Sequence, residues 1–113
     1  MKPNLKSHRF KKKSISEFLK NSKKFKTSLF TMHYLEDEKS CYAFVCPKRI
    51  GKTIIRNKIK RQLKESFLKH STKIDSKMSL IFIANKNILN SSFKKINDMI
   101  LLSLKKKIIN EKS

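Results

Sequence analysis

The sequence predicts a small α+β sandwich of helices on a sheet, in the order helix, two or three strands, helix, strand, helix. Three observations carry that prediction. Ile55, Ile59, Leu63 and Phe67 recur at every fourth position and so stay on one side of a helix. The run Met78-Ser79-Leu80-Ile81-Phe82-Ile83-Ala84 is almost wholly apolar and of strand length, which suits a central strand covered on both faces. Phe93, Ile96, Ile100, Leu104 and Ile108 make a second helical stripe, widened by Leu101 and Leu102. At 113 residues the chain is long enough for one modest core, so a single domain over residues 1–113 is expected.

In chain order, residues 1–13 form a basic arm expected to be flexible. Ser14-Ile15-Ser16-Glu17 fits a capping box, with Ser14 as N-cap and Glu17 reaching back. Ile15, Phe18 and Leu19 follow as a short apolar stripe, and this helix should stop near residues 21–23. From Phe25 to Leu35 the composition turns strand-like. Phe30, Met32 and Tyr34 share one face there, and Leu29, Thr31, His33 and Leu35 the other. Glu36-Asp37-Glu38-Lys39-Ser40 is a polar turn. The return strand, residues 41–46, puts Tyr42 and Phe44 on one face and Ala43 and Val45 on the other. The two runs are expected to pair as an antiparallel hairpin, ended by Pro47, which has no N–H for the ladder. Cys41 and Cys46 fall on opposite faces and cannot bond to each other. They are expected to be buried thiols in a reducing compartment.

Gly51 is the sole glycine, placed between that strand and the next helix, where a positive φ or a close approach is expected. The helix should run from about Thr53, its expected N-cap, to His70. Arg56 fits its polar side badly. It falls near the apolar arc, either snorkelling past the sheet edge or aimed at a ligand beside it. Asn90 or Ser91 is expected to cap the last helix, whose end carries Lys105, Lys106 and Lys107.

The charge is extreme: 29 Lys and Arg against 8 Asp and Glu give a net +21. A compact domain of that charge repels itself and gains from a polyanionic partner, nucleic acid first and an anionic membrane second. No stretch approaches the roughly 20 apolar residues of a membrane span, and no signal peptide is evident at the N-terminus. A cytoplasmic location without membrane attachment is therefore expected. His8, His33 and His70 are scattered, with no Cys, Asp or Glu at ligand spacing, and no glycine-rich phosphate loop or paired core carboxylates occur. The chain carries no catalytic set of its own. Its chemistry is binding, centred on residues 48–64, where Lys48, Arg49, Lys52, Arg56, Lys58, Lys60, Arg61 and Lys64 occur without one acid. Mixed Arg and Lys suit phosphate contacts, and Asn57 among them can donate and accept.

Lys48-Arg49-Ile50-Gly51 followed by Arg56-Asn57-Lys58-Ile59-Lys60-Arg61 resembles the signature of the bacterial ribonuclease P protein subunit. Glu65 and Phe67 match the acidic and aromatic residues that come next in that family. The order of elements is similar over nearly the whole chain, and the specific identity lies within residues 41–67. The resemblance implies a mixed sheet with an unusual left-handed βαβ crossover, where right-handed ones are the strong default. It implies an accessory subunit of a ribonucleoprotein endonuclease that matures the 5′ end of tRNA, with catalysis carried by RNA and Mg2+ held mainly by that RNA. The implied partners are the catalytic RNA and precursor tRNA, with no obligate protein partner.

The same resemblance implies site residues. Lys48, Arg49, Lys52, Arg56, Asn57, Lys58, Lys60, Arg61 and Lys64 would face the catalytic RNA. A cleft between the first helix and the sheet would take the 5′ leader, walled by Ile15, Phe18, Leu19, Phe30, Tyr34 and Phe44. The sequence departs from the family pattern in several places. Lys58 and Lys64 stand where arginine is usual and lose a bidentate fork, Pro47 replaces a frequent serine, and Asn85 replaces a frequent arginine. Ile15 and Leu19 align with two phenylalanines, and an aliphatic side chain cannot stack on a base. A structural RNA-binding protein of ribosomal type would explain the charge equally well, though not this spacing. A membrane-active protein is disfavoured because the last strand and helix look like core.

Overall fold

A computed structural model describes residues 12–36, 41–74 and 77–108. Three α-helices, α1 (Lys12–Asn21), α2 (Thr53–His70) and α3 (Phe93–Lys107), accompany four strands. These are β1 (Lys23–Lys26), β2 (Phe30–Glu36), β3 (Tyr42–Val45) and β4 (Met78–Ala84), in the sheet order β1-β2-β4-β3. The expected α+β class and element order hold, with three strands before α2. The greater part of the expected arm, residues 1–11, lies outside the described residues; Lys12 and Lys13 already belong to α1. Because α1 starts at Lys12, Ser14 lies inside it and is not its N-cap.

The expected hairpin between β2 and β3 does not form. β4 inserts between them, antiparallel to β2 and parallel to β3. Burial explains the exchange: Leu80, Ile81 and Phe82 are all at most 2% exposed, so β4 needs cover on both faces and a neighbour on both edges. Ser79, buried in the same strand, takes the backbone N–H of Cys41 on its hydroxyl at 3.0 Å, and the N–H of Leu80 reaches the Cys41 carbonyl at 2.9 Å. The chain's real hairpin is β1 with β2, registered from Lys23 opposite Tyr34 to Lys26 opposite Thr31. Thr27 closes it, its hydroxyl accepting from Leu29 and Phe30 backbone N–H groups at 3.2 and 3.0 Å. Asn85 seals the same turn from β4's end, donating its N–H to the Leu29 carbonyl and its amide to the Thr27 carbonyl.

The two faces of the sheet differ. Phe30 and Met32 of β2, Tyr42 of β3, and Leu80, Phe82 and Ala84 of β4 bury against Ile59, Leu63 and Phe67 of α2 and Ile96, Ile100 and Leu104 of α3. Inside that core Phe44 stacks on Phe82 with ring centroids 5.6 Å apart, and Phe67 meets Tyr42 at 5.1 Å. The opposite face carries Thr31, His33 and Leu35, Ala43 and Val45, and Ile83, all half-buried, around Ile81, which is fully buried. α1 lies on that side: its following residue Ser22 shares a hydrogen bond of 3.3 Å with His33 Nδ1, and Phe18 is 7% exposed outside the main core. Burial first, and the Lys24 charge second, hold the His33 imidazole below its usual pKa.

The two cysteines are buried and are not joined in a disulfide. The cap of α3 is Ser92, one residue beyond the expected pair, whose hydroxyl accepts from the Lys95 N–H at 3.2 Å. His70 Nε2 meets Asn97 Oδ1 at 3.1 Å and ties the end of α2 to α3.

Candidate nucleic-acid interface

The basic segment follows β3 through Pro47 and a 3-10 turn, Lys48–Ile50, whose Ile50 is buried. Gly51 then passes to α2 with an extended backbone, φ 170 and ψ −172, that any residue adopts. The expected positive φ is therefore absent. The close approach is real, because a Cβ there would meet the Ile55 side chain at 3.3 Å. Lys52 is the N-cap of α2 and Thr53 its first residue.

Lys48, Arg49, Lys52, Asn57, Lys58, Arg61 and Lys64 are exposed, while Arg56 and Lys60 are half-buried. At about 100° per residue, Lys60, Lys64, Asn57 and Arg61 fall within an arc of about 100° on α2, and Lys58 lies about 60° beyond it. That arc borders the side of the helix from which Phe67 meets Tyr42 and Phe44, so the cations run beside the β3 edge. Burial raises the Cys46 thiol pKa just past β3, and the nearby Arg56 and Lys60 charges oppose that rise.

Arg56 is half-buried and already engaged by two acceptors. Its Nε donates to the Gly51 carbonyl at 3.0 Å and its Nη2 to the Thr53 hydroxyl at 3.1 Å. The guanidinium folds back and clamps the turn that introduces the helix. The expected four-residue stripe does not bury in full. Ile59, Leu63 and Phe67 are buried, but Ile55 is 40% exposed and lies beside Gly51.

The expected leader wall needs a correction. Phe30, Tyr34 and Phe44 sit on the α2–α3 face of the sheet, in or against the main core, on the side away from α1. Residues that alternate with them face α1 instead, namely Thr31, His33, Leu35, Ala43, Val45 and Ile83. With Ile15 and Leu19, both half-buried on α1, they border a partly open surface. The sequence did separate these two faces. Polarity distinguishes them: the face with Thr31 and His33 is the wetter one, and the aromatic face is core.

Among the described residues no group of three or more His, Cys, Asp or Glu could hold a metal ion. Among the described residues, too, no helix is long and apolar enough to cross a membrane.

Fold and surface together define a small α+β domain that buries one side of its central helix and turns the cations of the other outward. The chain belongs to the ribonuclease P protein family, whose model matches residues 5–108. It is 32% identical over 91 residues to the ribonuclease P protein component of Clostridium kluyveri, covering 77% of this chain and 81% of that one. To the Alkaliphilus oremlandii component it is 36% identical over 63 residues, 56% of this chain and 55% of the relative, so that match spans about half of the relative's length. Its fold matches the Staphylococcus aureus RNase P protein with a TM-score of 0.82 at 23% identity, covering 93% of this chain and all of that one. The Thermotoga maritima RNase P protein matches with a TM-score of 0.78 at 21% identity, over 87% and 96% of the two chains.

Proposed function

We propose that this chain is the protein subunit of a ribonuclease P holoenzyme, binding the catalytic RNA and the 5′ leader of precursor tRNA. The observation that carries the reading is the family's basic signature laid along one exposed surface, from Lys48 through the α2 arc to Lys64. Phosphate contacts along that arc release counterions and give affinity without base reading. The half-open surface between α1 and the sheet would take the single-stranded leader. Its lining is aliphatic and polar, which favours backbone and ribose contacts over base stacking. Magnesium is assigned to the RNA, and cleavage with it, in the cytoplasm. The protein's part is to hold both RNAs in place.

Reconstitution tests the reading. The purified chain is added to a bacterial ribonuclease P RNA with labelled precursor tRNA at low magnesium. Enhanced cleavage at the mature 5′ end is expected, and no enhancement refutes the proposal. For the leader surface, Val45→Glu places a carboxylate on the α1 side of β3. It should lower the holoenzyme's preference for precursor over mature tRNA; equal weakening of both would remove Val45 from the leader path.

A further inference from the structure

The cations of α2 leave a second set unexplained at the opposite edge of the sheet. β1 is an edge strand, paired only with β2, and three of its four residues are exposed lysines, Lys23, Lys24 and Lys26. The last turn of α3 adds Lys105, Lys106 and Lys107, all exposed. One contact joins the two segments: Lys107 Nζ sits 5.8 Å from the centre of the Phe25 ring, the single apolar side chain of β1. Neither segment contains an acid.

Lysine on an edge strand deters pairing with another chain, and a cation at a helix end meets a partial charge of about half a unit. One lysine would satisfy each purpose. Six, on two segments joined by the Lys107–Phe25 contact, concentrate positive charge that a polyanion would relieve. Lys24 and Lys26 fall on the α1 side of the strand, about 6.6 Å apart, and Lys23 on the α3 side, so the charge wraps the edge.

We propose that the β1 edge and the final turn of α3 form a second surface for an RNA sugar-phosphate backbone, engaged together with the α2 surface. The two surfaces lie at opposite edges of the sheet, at least about 14 Å apart across three strand spacings. One RNA helix end or two separate strands therefore bracket the domain. This rests on the RNA-binding reading above, and the phosphate backbone belongs either to the catalytic RNA or to precursor tRNA.

The test uses a full-length variant carrying Lys24→Gln, Lys26→Gln, Lys105→Gln and Lys106→Gln, which keeps Phe25 and Lys107. A control variant of equal charge carries Lys69→Gln, Lys73→Gln, Lys77→Gln and Lys86→Gln, also exposed positions. Thermal melting establishes that both fold. Salt titrations then give the slope of log K against log salt, for catalytic RNA binding the protein and for precursor tRNA binding the assembled holoenzyme. Each lost phosphate contact lowers the slope by about 0.7–0.9. A fall of about 2 is expected in at least one titration for the first variant and not for the control, and the titration that responds identifies the RNA. Unchanged slopes in both titrations, or equal falls in the two variants, overturn the second surface alone. If the native chain binds neither RNA, the functional reading fails and this surface with it.

Discussion

Arg56→Ala separates two roles that one position in the signature could have, clamping the fold or touching RNA. Two donors of its guanidinium are already engaged, one on the Gly51 carbonyl and one on the Thr53 hydroxyl. A hydrogen bond from a charged group contributes about 1.5–3 kcal/mol at a buried site. The first of these bonds is half-buried and the second exposed, so water replaces much of both, leaving about 1 kcal/mol for the pair. In a domain of 113 residues that corresponds to a fall of about 4 °C in Tm. Arg61→Ala makes the comparison. Arg61 is exposed on the outer arc of α2, so its loss should leave Tm within about 1 °C. The same change should flatten the salt dependence of catalytic-RNA binding by about one contact. Arg56→Lys should not restore stability, because an ammonium lacks the fork that reaches both acceptors. Circular-dichroism melts and salt titrations read the two effects. A native Tm for Arg56→Ala, together with a slope reduced as much as in Arg61→Ala, would refute the clamp.

Three further outcomes follow from the described contacts. Ser66 is fully buried and its hydroxyl has no hydrogen-bond partner, so Ser66→Ala should raise stability by about 1 kcal/mol in urea denaturation; a loss of stability would mean the hydroxyl is satisfied. Gly51→Ala should stay within about 0.5 kcal/mol of native, since the backbone is extended and the crowding Ile55 side chain is 40% exposed and free to shift; a loss above about 2 kcal/mol would show that it is not. For His33 the folded-state pKa lies below the unfolded one, so its contribution is fully present above about pH 6.5 and is lost as pH falls through that value towards the folded pKa. Melting temperature should therefore drop between pH 7 and 5, and less steeply in His33→Gln; parallel curves would assign the acid sensitivity elsewhere.

The parts of the fold that were legible in the sequence are those set by local periodicity. Ile59, Leu63 and Phe67 on α2, and Ile96, Ile100 and Leu104 on α3, are buried as their spacing requires. The alternation along β2 and β3 assigned each side chain to the correct face. Strand order was not legible, because β4 takes its place between β2 and β3 through burial on both of its faces, and no residue in the β2–β3 connection encodes that. Neither was β1. Lys23-Lys24-Phe25-Lys26 offers one apolar residue and no alternation, and its pairing comes from the Thr27 turn and the Asn85 seal. For the site, the cations of the helix could be counted and placed by arithmetic. Which face α1 covers could not, because both faces of β2 contain large apolar residues, and the strand residues of the wall that the resemblance implies fall on the core face.

The start of α2 ties these points together. Ile54 is 83% exposed and Ile55 40%, so the first residue that anchors the helix to the sheet is Ile59. Six residues separate it from the N-terminus of the helix, about 9 Å along the axis. Over that length the core holds nothing, yet Lys52, Arg56, Asn57 and Lys58 lie within or beside it. A cation on a fraying turn would have to be ordered when RNA binds, and its contribution to affinity would fall by that entropic cost. Arg56 removes the difficulty by joining the helix to the Gly51 carbonyl across its first turn, and Ile55 lies over the space where a Gly51 side chain would stand. The signature's first arginine and its glycine therefore act as one unit. They fix the end of a helix that the core leaves unsupported, so that under the proposed function Asn57, Lys60, Arg61 and Lys64 would meet a phosphate backbone already in register.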